Sequence, residues 1–275
     1  WHLAPRAADG GLELTVFDVG NGTAIAIALP SGQTLLYDFG SLSAFDIEHW
    51  ALRPWRLSRR ARQPAALMIS HAELDHFSAV PALLERWPPG VIIAPPHFKT
   101  HSRVRAAAGR LMHEATQRGI PWRSAKRGDR LDADSVDIDI LWPPPESETP
   151  GLDPNNASLV VSIRHAGKRI LLTGDIQEPA QNSLLASEDL KADVLLLPHH
   201  GGEMSQAFLD TVDPRLCIRS SGKLDRHTTN GLLELMTGKN YFSTAEDGAV
   251  IVRVDESGIA VATGDTGFSP KRISD

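Results

Sequence analysis

Apolar runs of two kinds mark out this chain. Leu12-Glu13-Leu14-Thr15-Val16-Phe17-Asp18-Val19-Gly20 alternates apolar with polar residues and then meets Gly20-Asn21-Gly22, the pattern of a strand entering a tight turn. Thr23–Leu29 resumes as a second strand, and after Pro30-Ser31-Gly32-Gln33 a third covers Thr34–Gly40. Ala65–Ile69 and Val91–Ala94 are short continuous apolar runs and read as buried strands. Helical spacing appears over Ser43–Arg62, interrupted near Pro54, and over Phe77–Trp87, where Val80, Leu83, Leu84 and Trp87 share a face. A further helix is predicted over Ser102–Gly119, with Gly119 as its stop.

The second half repeats this style without repeating sequence. Ile138–Trp142 is a strand, Pro143–Pro154 a rigid exposed loop, and Ser158–Ile163 with Lys168–Leu172 a hairpin across His165-Ala166-Gly167. An interval of helical character leads to a buried strand, Asp193–Leu197, and then come a strand at Leu216–Ser220 and a helix over Gly231–Thr237. Gly248–Val254 and Gly258–Ala262 form a closing hairpin. Strands and helices contributed by both halves predict an α/β fold, residues 1–275 forming a single domain.

Composition narrows the class. With 275 residues, 41% hydrophobic and 23% charged, the chain is an ordinary globular domain able to bury one sizeable core. No stretch approaches the ~20 apolar residues of a membrane span, so this segment is not expected to insert into a bilayer, and no signal peptide is visible. The start at Trp1 rather than Met suggests a piece excised from a longer protein. Cys217 is the single cysteine, which excludes an internal disulfide and reads as a small buried hydrophobe. A net charge of −6 gives no global attraction to nucleic acid. Local basic clusters do occur, Arg53, Arg56, Arg59, Arg60 and Arg62 beside Trp50 and Trp55, then Lys99, Arg103 and Arg105, and these are a candidate substrate track or a solvated face.

The chemistry concentrates after the Ala65–Ile69 run. Ser70-His71-Ala72-Glu73-Leu74-Asp75-His76 places imidazoles and carboxylates where a strand becomes a loop, so that His71, Glu73, Asp75 and His76 can converge on a metal ion. The helix that follows brings Asp75 and His76 close to a positive helix terminus. Other strands end on ligand types as well: Asp38 after the third, Asp175 in Thr173-Gly174-Asp175, and His199-His200 after Asp193–Leu197, with His227 later. His71, Glu73, Asp75, His76, Asp175, His200 and His227, with His199 as an alternate, are enough donors for two divalent ions, manganese or zinc.

The spacing His71-Ala72-Glu73-Leu74-Asp75-His76 resembles the HxHxDH signature of the metallo-β-lactamase superfamily, with Glu73 at the second histidine position. Phe17-Asp18-Val19-Gly20-Asn21-Gly22, Tyr37-Asp38-Phe39-Gly40, Asn156-Ala157-Ser158-Leu159-Val160, Leu172-Thr173-Gly174-Asp175 and Pro198-His199-His200-Gly201 narrow the likeness. In that order they resemble the C-terminal domain of DNA-internalisation competence proteins of the ComEC family. The resemblance implies a metallo-β-lactamase-like αββα sandwich. It places His71 and Glu73 on a first metal, Asp75 and His76 on a second and Asp175 between them, with His227 closing the second site. It also puts Asp38, Asn156 and His199 in supporting positions, and leaves His200 either a ligand or a phosphate contact.

The implied activity is metal-assisted phosphodiester hydrolysis. Asp75 would orient the attacking water, and His200 or His227 would steady the phosphate or the leaving oxygen. The implied setting is an extracytoplasmic domain of an inner-membrane channel protein that degrades the non-imported, single-stranded product of DNA uptake. Three positions depart from the family pattern. Asn155-Asn156-Ala157-Ser158 stands where a histidine usually precedes the bridging acid, Gly202 replaces a serine, and Thr228 follows His227 in place of proline. The first departure leaves the first site open and oxygen-rich, which favours manganese. Alternative readings are a small-molecule metallohydrolase of the same fold, or a catalytically degenerate module that binds DNA or docks onto a channel.

Overall fold

In the computed structural model, residues 10–133, 136–222, 226–264 and 271–273 are described, with side chains at all of these except 132, 187 and 226–230. The amino-terminal runs lie side by side as an antiparallel meander of β1 (Leu12–Val16), β2 (Ala24–Ala28) and β3 (Thr34–Phe39). A π-helical turn at Glu48–Leu52 and α1 (Arg53–Arg59) cross to β4 (Ala66–Met68), which pairs parallel to β3. α2 (Leu74–Phe77) and α3 (Val80–Arg86) lead to β5 (Ile92–Ala94), and α4 (His97–His101) and α5 (Ala106–Gln117) lead to β6 (Trp122–Ser124). Both strands join in parallel.

The second sheet begins with β7 (Arg130–Ala133), β8 (Val136–Trp142), β9 (Val160–His165) and β10 (Lys168–Leu172), all antiparallel. It continues in parallel through α6 (Glu178–Ser187), β11 (Val194–Leu196), α7 (Gln206–Val212), β12 (Leu216–Arg219), α8 (Arg226–Leu235) and β13 (Asn240–Ser243). α9 (Thr244–Asp247) then returns the chain to the first sheet, where β14 (Val250–Asp255), β15 (Gly258–Thr263) and β16 (Lys271–Ile273) stack outward from β1.

Alternation explains why the sheets face each other. Leu12, Leu14 and Val16 of β1 meet Ile138 and Ile140 of β8 and Val161 and Ile163 of β9 in one core. The other face of the first sheet, through Ala26, Leu36 and Leu67, is covered by Trp55, Leu83 and Leu111 from α1, α3 and α5. Leu171, Leu195 and Cys217 on the outer face of the second sheet are covered by Leu184, Phe208 and Leu232 from α6, α7 and α8. The result is the expected four-layer αββα sandwich, with Cys217 fully buried as predicted.

Some boundaries differ from the expectations. Pro54 does not break its helix but sits in the first turn of α1, where a missing N–H costs nothing, and the irregularity falls just before it as the π turn. The helix expected from Phe77 starts at Leu74, pauses at Ser78-Ala79 and resumes at Val80 with Pro81 in its first turn. The helix expected from Ser102 begins at Ala106, while Gly119 does end it, with φ +67°.

Close packing joins β3 to the metal-ligand loop. A Cβ at Gly40 would stand 2.5 Å from Phe77 N and 2.6 Å from Asp75 O, all backbone, so no side chain can yield. Gly40→Ala is therefore expected to push α2 off the strand end and destabilise the chain by about 1–3 kcal/mol in urea titration.

Candidate metal centre

The ligand types gather at the carboxyl ends of β3, β4, β10 and β11, the usual place for a site on such sheets. Asp75, His76, Asp175 and His200 each present one donor atom, and the four lie within 4.8 Å of one another. His76 Nε2 is 3.3 Å from Asp175 Oδ1 and 3.8 Å from Asp75 Oδ2, and His200 Nε2 is 3.3 Å from Asp75 Oδ2 and 3.5 Å from Asp175 Oδ2. A tetrahedron with metal–ligand bonds of about 2.1 Å has edges of about 3.4 Å, so these spacings suit a single ion with little rearrangement.

Each imidazole is aimed by its other nitrogen. Asp38, at φ +52° where β3 ends, accepts from Ser70 N–H (2.6 Å) and from His76 Nδ1 (2.8 Å). That bond leaves the Nε2 lone pair of His76 facing the cluster. His200 donates from Nδ1 to the Ser220 carbonyl (2.7 Å), which fixes the same tautomer. His199 and His200 both adopt left-handed backbone (φ 49° and 54°), and the buried Arg219 donates from Nε to the His200 carbonyl (3.1 Å). His71 Nδ1 lies 2.9 Å from Ser70 Oγ, and its Nε2 is 4.0 Å from Asp175 Oδ2. Asp175 is anchored by its own N–H, which donates to Ser158 Oγ (3.0 Å).

The donor set fits a metal ion. Among the described residues, the buried Nε2 atoms of His71 and His76 have no hydrogen-bond partner although they face carboxylates. Burial, with His76 adding to it, pushes His71 down to about 3, so this imidazole is neutral and ready to ligate. Burial opposes charge on His76 and His200 too, but Asp175 in both cases, then Asp38 for His76 and Asp75 for His200, outweigh it and raise both groups. Asp175 is held far below the usual carboxylate range because His76 and His200 overcome its burial. The carboxylates of Asp38, Asp75 and Asp175 thus draw positive charge onto the two imidazoles, and a divalent cation would supply that charge while releasing their Nε2 protons.

The remaining expected residues lie around this cluster in other roles. Glu73 is outside it, with Oε1 2.6 Å and Oε2 2.9 Å from the Arg105 guanidinium in a bidentate pair. Asn156 is buried and fully committed: its Oδ1 accepts from Gln177 N–H (3.1 Å) and Ala180 N–H (3.3 Å), and its Nδ2 donates to Asp153 (2.8 Å). It caps α6 and so steadies the turn after Asp175. His199 N–H donates to the Gly174 carbonyl (3.1 Å), tying the two ligand loops together. His227 falls in the first turn of α8, and its side chain lies outside the described residues. Ser70, Ser158, Ser220 and Arg219 are supports that no spacing announces, since Ser70 and Ser220 act through backbone atoms and Ser158 and Arg219 through contacts made only in the folded chain.

The basic track divides. Arg56 stacks on Trp87 (5.3 Å) and pairs with Glu48 (3.2 Å), and Arg59 stacks on Trp55 (5.0 Å) and hydrogen-bonds Glu13 (2.6 Å). Arg59, Arg60 and Arg62 line a recess with Thr34, at the opposite end of β3 from Asp38, so they do not lead into the centre. Arg105 alone of the named cations touches a residue of the ligand loop.

Removing the Asp38 carboxylate should loosen His76 without deleting a ligand. Asp38→Asn is expected to weaken metal affinity by about 10–100-fold in competition with a chromogenic chelator, since supports of this kind carry that much.

The family model of the metallo-beta-lactamase superfamily matches residues 17–215, well over half of the chain. Among curated relatives, ComE operon protein 3 of Bacillus subtilis is 26% identical over 242 residues, covering 82% of this chain and 30% of its own length. Competence protein ComA of Neisseria gonorrhoeae is 28% identical over 213 residues, covering 76% of this chain and 27% of its own length. The chain thus spans less than a third of these relatives. The metallo-beta-lactamase fold protein YhfI of Bacillus subtilis superposes with a TM-score of 0.61 at 12% identity, covering 89% of this chain and 100% of the other, a likeness of fold.

Proposed function

Because this chain belongs to the metallo-β-lactamase superfamily of metal-dependent hydrolases, we propose that its buried His/Asp centre hydrolyses phosphodiester bonds of DNA. The observation that carries the reading is the convergence of Asp75, His76, Asp175 and His200 on one point at the strand ends. The relatives' competence names supply the substrate class and the setting, DNA handled during uptake. In that setting the chain is the extracytoplasmic part of a longer inner-membrane channel protein and degrades the strand that is not imported. Among the described residues no helix is long and apolar enough to cross a membrane.

Asp75, His76, Asp175 and His200 would hold one divalent ion, the second of the two sites that the resemblance implies, and His71 with the shared Asp175 would serve the first. Glu73 can join His71 only by leaving Arg105. The mixture of carboxylates and imidazoles suits manganese or zinc, with oxygen richness favouring manganese. When bound, the ions neutralise charge on the phosphate and acidify water. The side chain of Asp75 is 21% exposed against 6% for Asp175, so Asp75 is the carboxylate that meets solvent. It would accept a hydrogen bond from the attacking water and so orient it, the released proton passing to solvent. With Nδ1 bonded to the Ser220 carbonyl and Nε2 in the donor cluster, His200 serves as a ligand and not as a phosphate contact, and His227 is assigned to the leaving oxygen.

The test is cleavage of end-labelled single-stranded DNA with added manganese or zinc, beside an Asp75→Ala, His76→Ala variant. Metal-dependent cleavage that the variant lacks supports the reading. Intact DNA with metal bound, alongside turnover of a lactam, thioester or lactone, would replace it with a small-molecule hydrolase. Inertness of a chain that takes up no metal would leave a DNA-binding or docking module.

A further inference from the structure

Beside the centre the surface carries apolar side chains that the core does not use. The loop after β3 is tied down: Ser41 Oγ donates to the Val19 carbonyl (2.6 Å) and accepts from the N–H groups of Ser43 (3.1 Å) and Ala44 (2.8 Å). Leu42 N–H donates to the Asn21 carbonyl (2.7 Å), and Trp50 Nε1 to the Phe45 carbonyl (2.7 Å). A loop held this firmly could have tucked its apolar residues inward, yet Leu42 is 64% and Phe45 97% exposed. Leu42 forms one wall of a cavity of about 370 Å³, faced by Leu74, Phe77 and Ala106. The Glu73–Arg105 pair forms its charged side. Asp75 lines the same cavity and is also one of the four clustered donors, so whatever fills this space abuts the metal centre.

A volume near the lower end of ligand pockets, apolar walls and one guanidinium describe a flat apolar group joined to an anion. A nucleotide unit has that chemistry. Building on the nuclease reading, we propose that this cavity receives the unpaired nucleoside next to the phosphodiester presented to Asp75. Leu42 and Leu74, which line the cavity, lie against its base, and Arg105 takes a neighbouring phosphate in exchange for Glu73. The planar guanidinium fork binds carboxylate and phosphate alike, so the exchange keeps both hydrogen bonds. In a duplex the base faces are stacked and hidden, and only an unpaired strand can offer one to apolar side chains, which makes the cavity selective for single strands. Glu73 acts as the competitor that holds Arg105 in place while no strand is bound.

The experiment is equilibrium binding of a fluorescein-labelled oligothymidylate to the chain by anisotropy, in EDTA so that cleavage cannot contribute. Leu42→Glu is expected to weaken binding about tenfold, within the range for loss of one stacked base. Arg105→Ala should weaken binding and lower the slope of log affinity against log salt by about 0.7, one phosphate contact to a single strand. Glu73→Gln should tighten binding several-fold, because Arg105 is released. All three side chains are at least partly exposed, and circular dichroism verifies that each variant is folded. Affinities of Leu42→Glu and Arg105→Ala equal to wild type, or no binding by wild type, would overturn the proposal. The two readings fail separately: metal-dependent cleavage with unchanged variant affinities removes the cavity and keeps the nuclease. Binding that the variants weaken, without cleavage when metal is added, keeps the cavity and removes the nuclease.

Discussion

Asp175→Asn is expected to lose stoichiometric metal and, with it, hydrolysis by well over 100-fold. The size follows from how much converges on this one carboxylate. His76 Nε2, His200 Nε2 and His71 Nε2 all lie between 3.3 and 4.0 Å from its two oxygens, so this one carboxylate faces all three imidazoles. Loss of a support such as Asp38 costs about 10–100-fold, and loss of a shared ligand must exceed it. The asparagine is nearly isosteric, and the backbone bond from residue 175 to Ser158 Oγ needs only the N–H. The fold should therefore persist while the site fails. Metal analysis after gel filtration, with turnover of end-labelled DNA on the same samples, checks both halves. A variant that keeps wild-type metal content would show that Asp175 is not a ligand.

Trp55→Ala should cost about 3–5 kcal/mol of stability, the range for deleting a buried large aromatic. Trp55 is buried between α1 and the outer face of the first sheet, edge-on to Phe17 at 6.3 Å. Its Nε1 donates to Thr15 Oγ1 (3.0 Å), and the Arg59 guanidinium stacks 5.0 Å from the ring centroid. The substitution opens a cavity, strands the fully buried Thr15 hydroxyl and frees an arginine that also binds Glu13. Against the ~5–15 kcal/mol that holds a typical domain together, this loss should move the urea midpoint by a large fraction. Trp50→Ala is the control: Trp50 is 41% exposed and should change the midpoint little. Equal midpoints for the two variants would contradict the packing described for α1.

Legibility in the sequence tracked burial. The interior strands, such as Thr34–Phe39 and Val194–Leu196, are buried along their length and stand out as apolar runs. The edge strands β6, β7, β13 and β16 escape the pattern. Trp122-Arg123-Ser124 and Lys271-Arg272-Ile273 have one side open to solvent and need no apolar run. Short α4 and α7 likewise lack the two turns that would reveal a period. At the centre, the convergence of Asp75, His76 and Asp175 was readable because each follows closely on a strand end, where such sheets gather their polar side chains. His200, the weakest of the sequence assignments, is drawn into the cluster by the Ser220 carbonyl and by left-handed backbone at residues 199 and 200. Spacing carries neither feature. Glu73 looked like a ligand from its place in the motif, but its carboxylate is claimed by Arg105, 32 residues away, a pairing that only tertiary structure discloses.

Anomalous diffraction from crystals of the chain soaked in manganese or zinc tests the metal centre most directly. The account predicts a peak about 2.0–2.2 Å from the clustered donor atoms of Asp75, His76, Asp175 and His200, with any second peak beside His71 and Asp175. Diffraction with no peak at these residues, or with one coordinated only elsewhere on the chain, would contradict it.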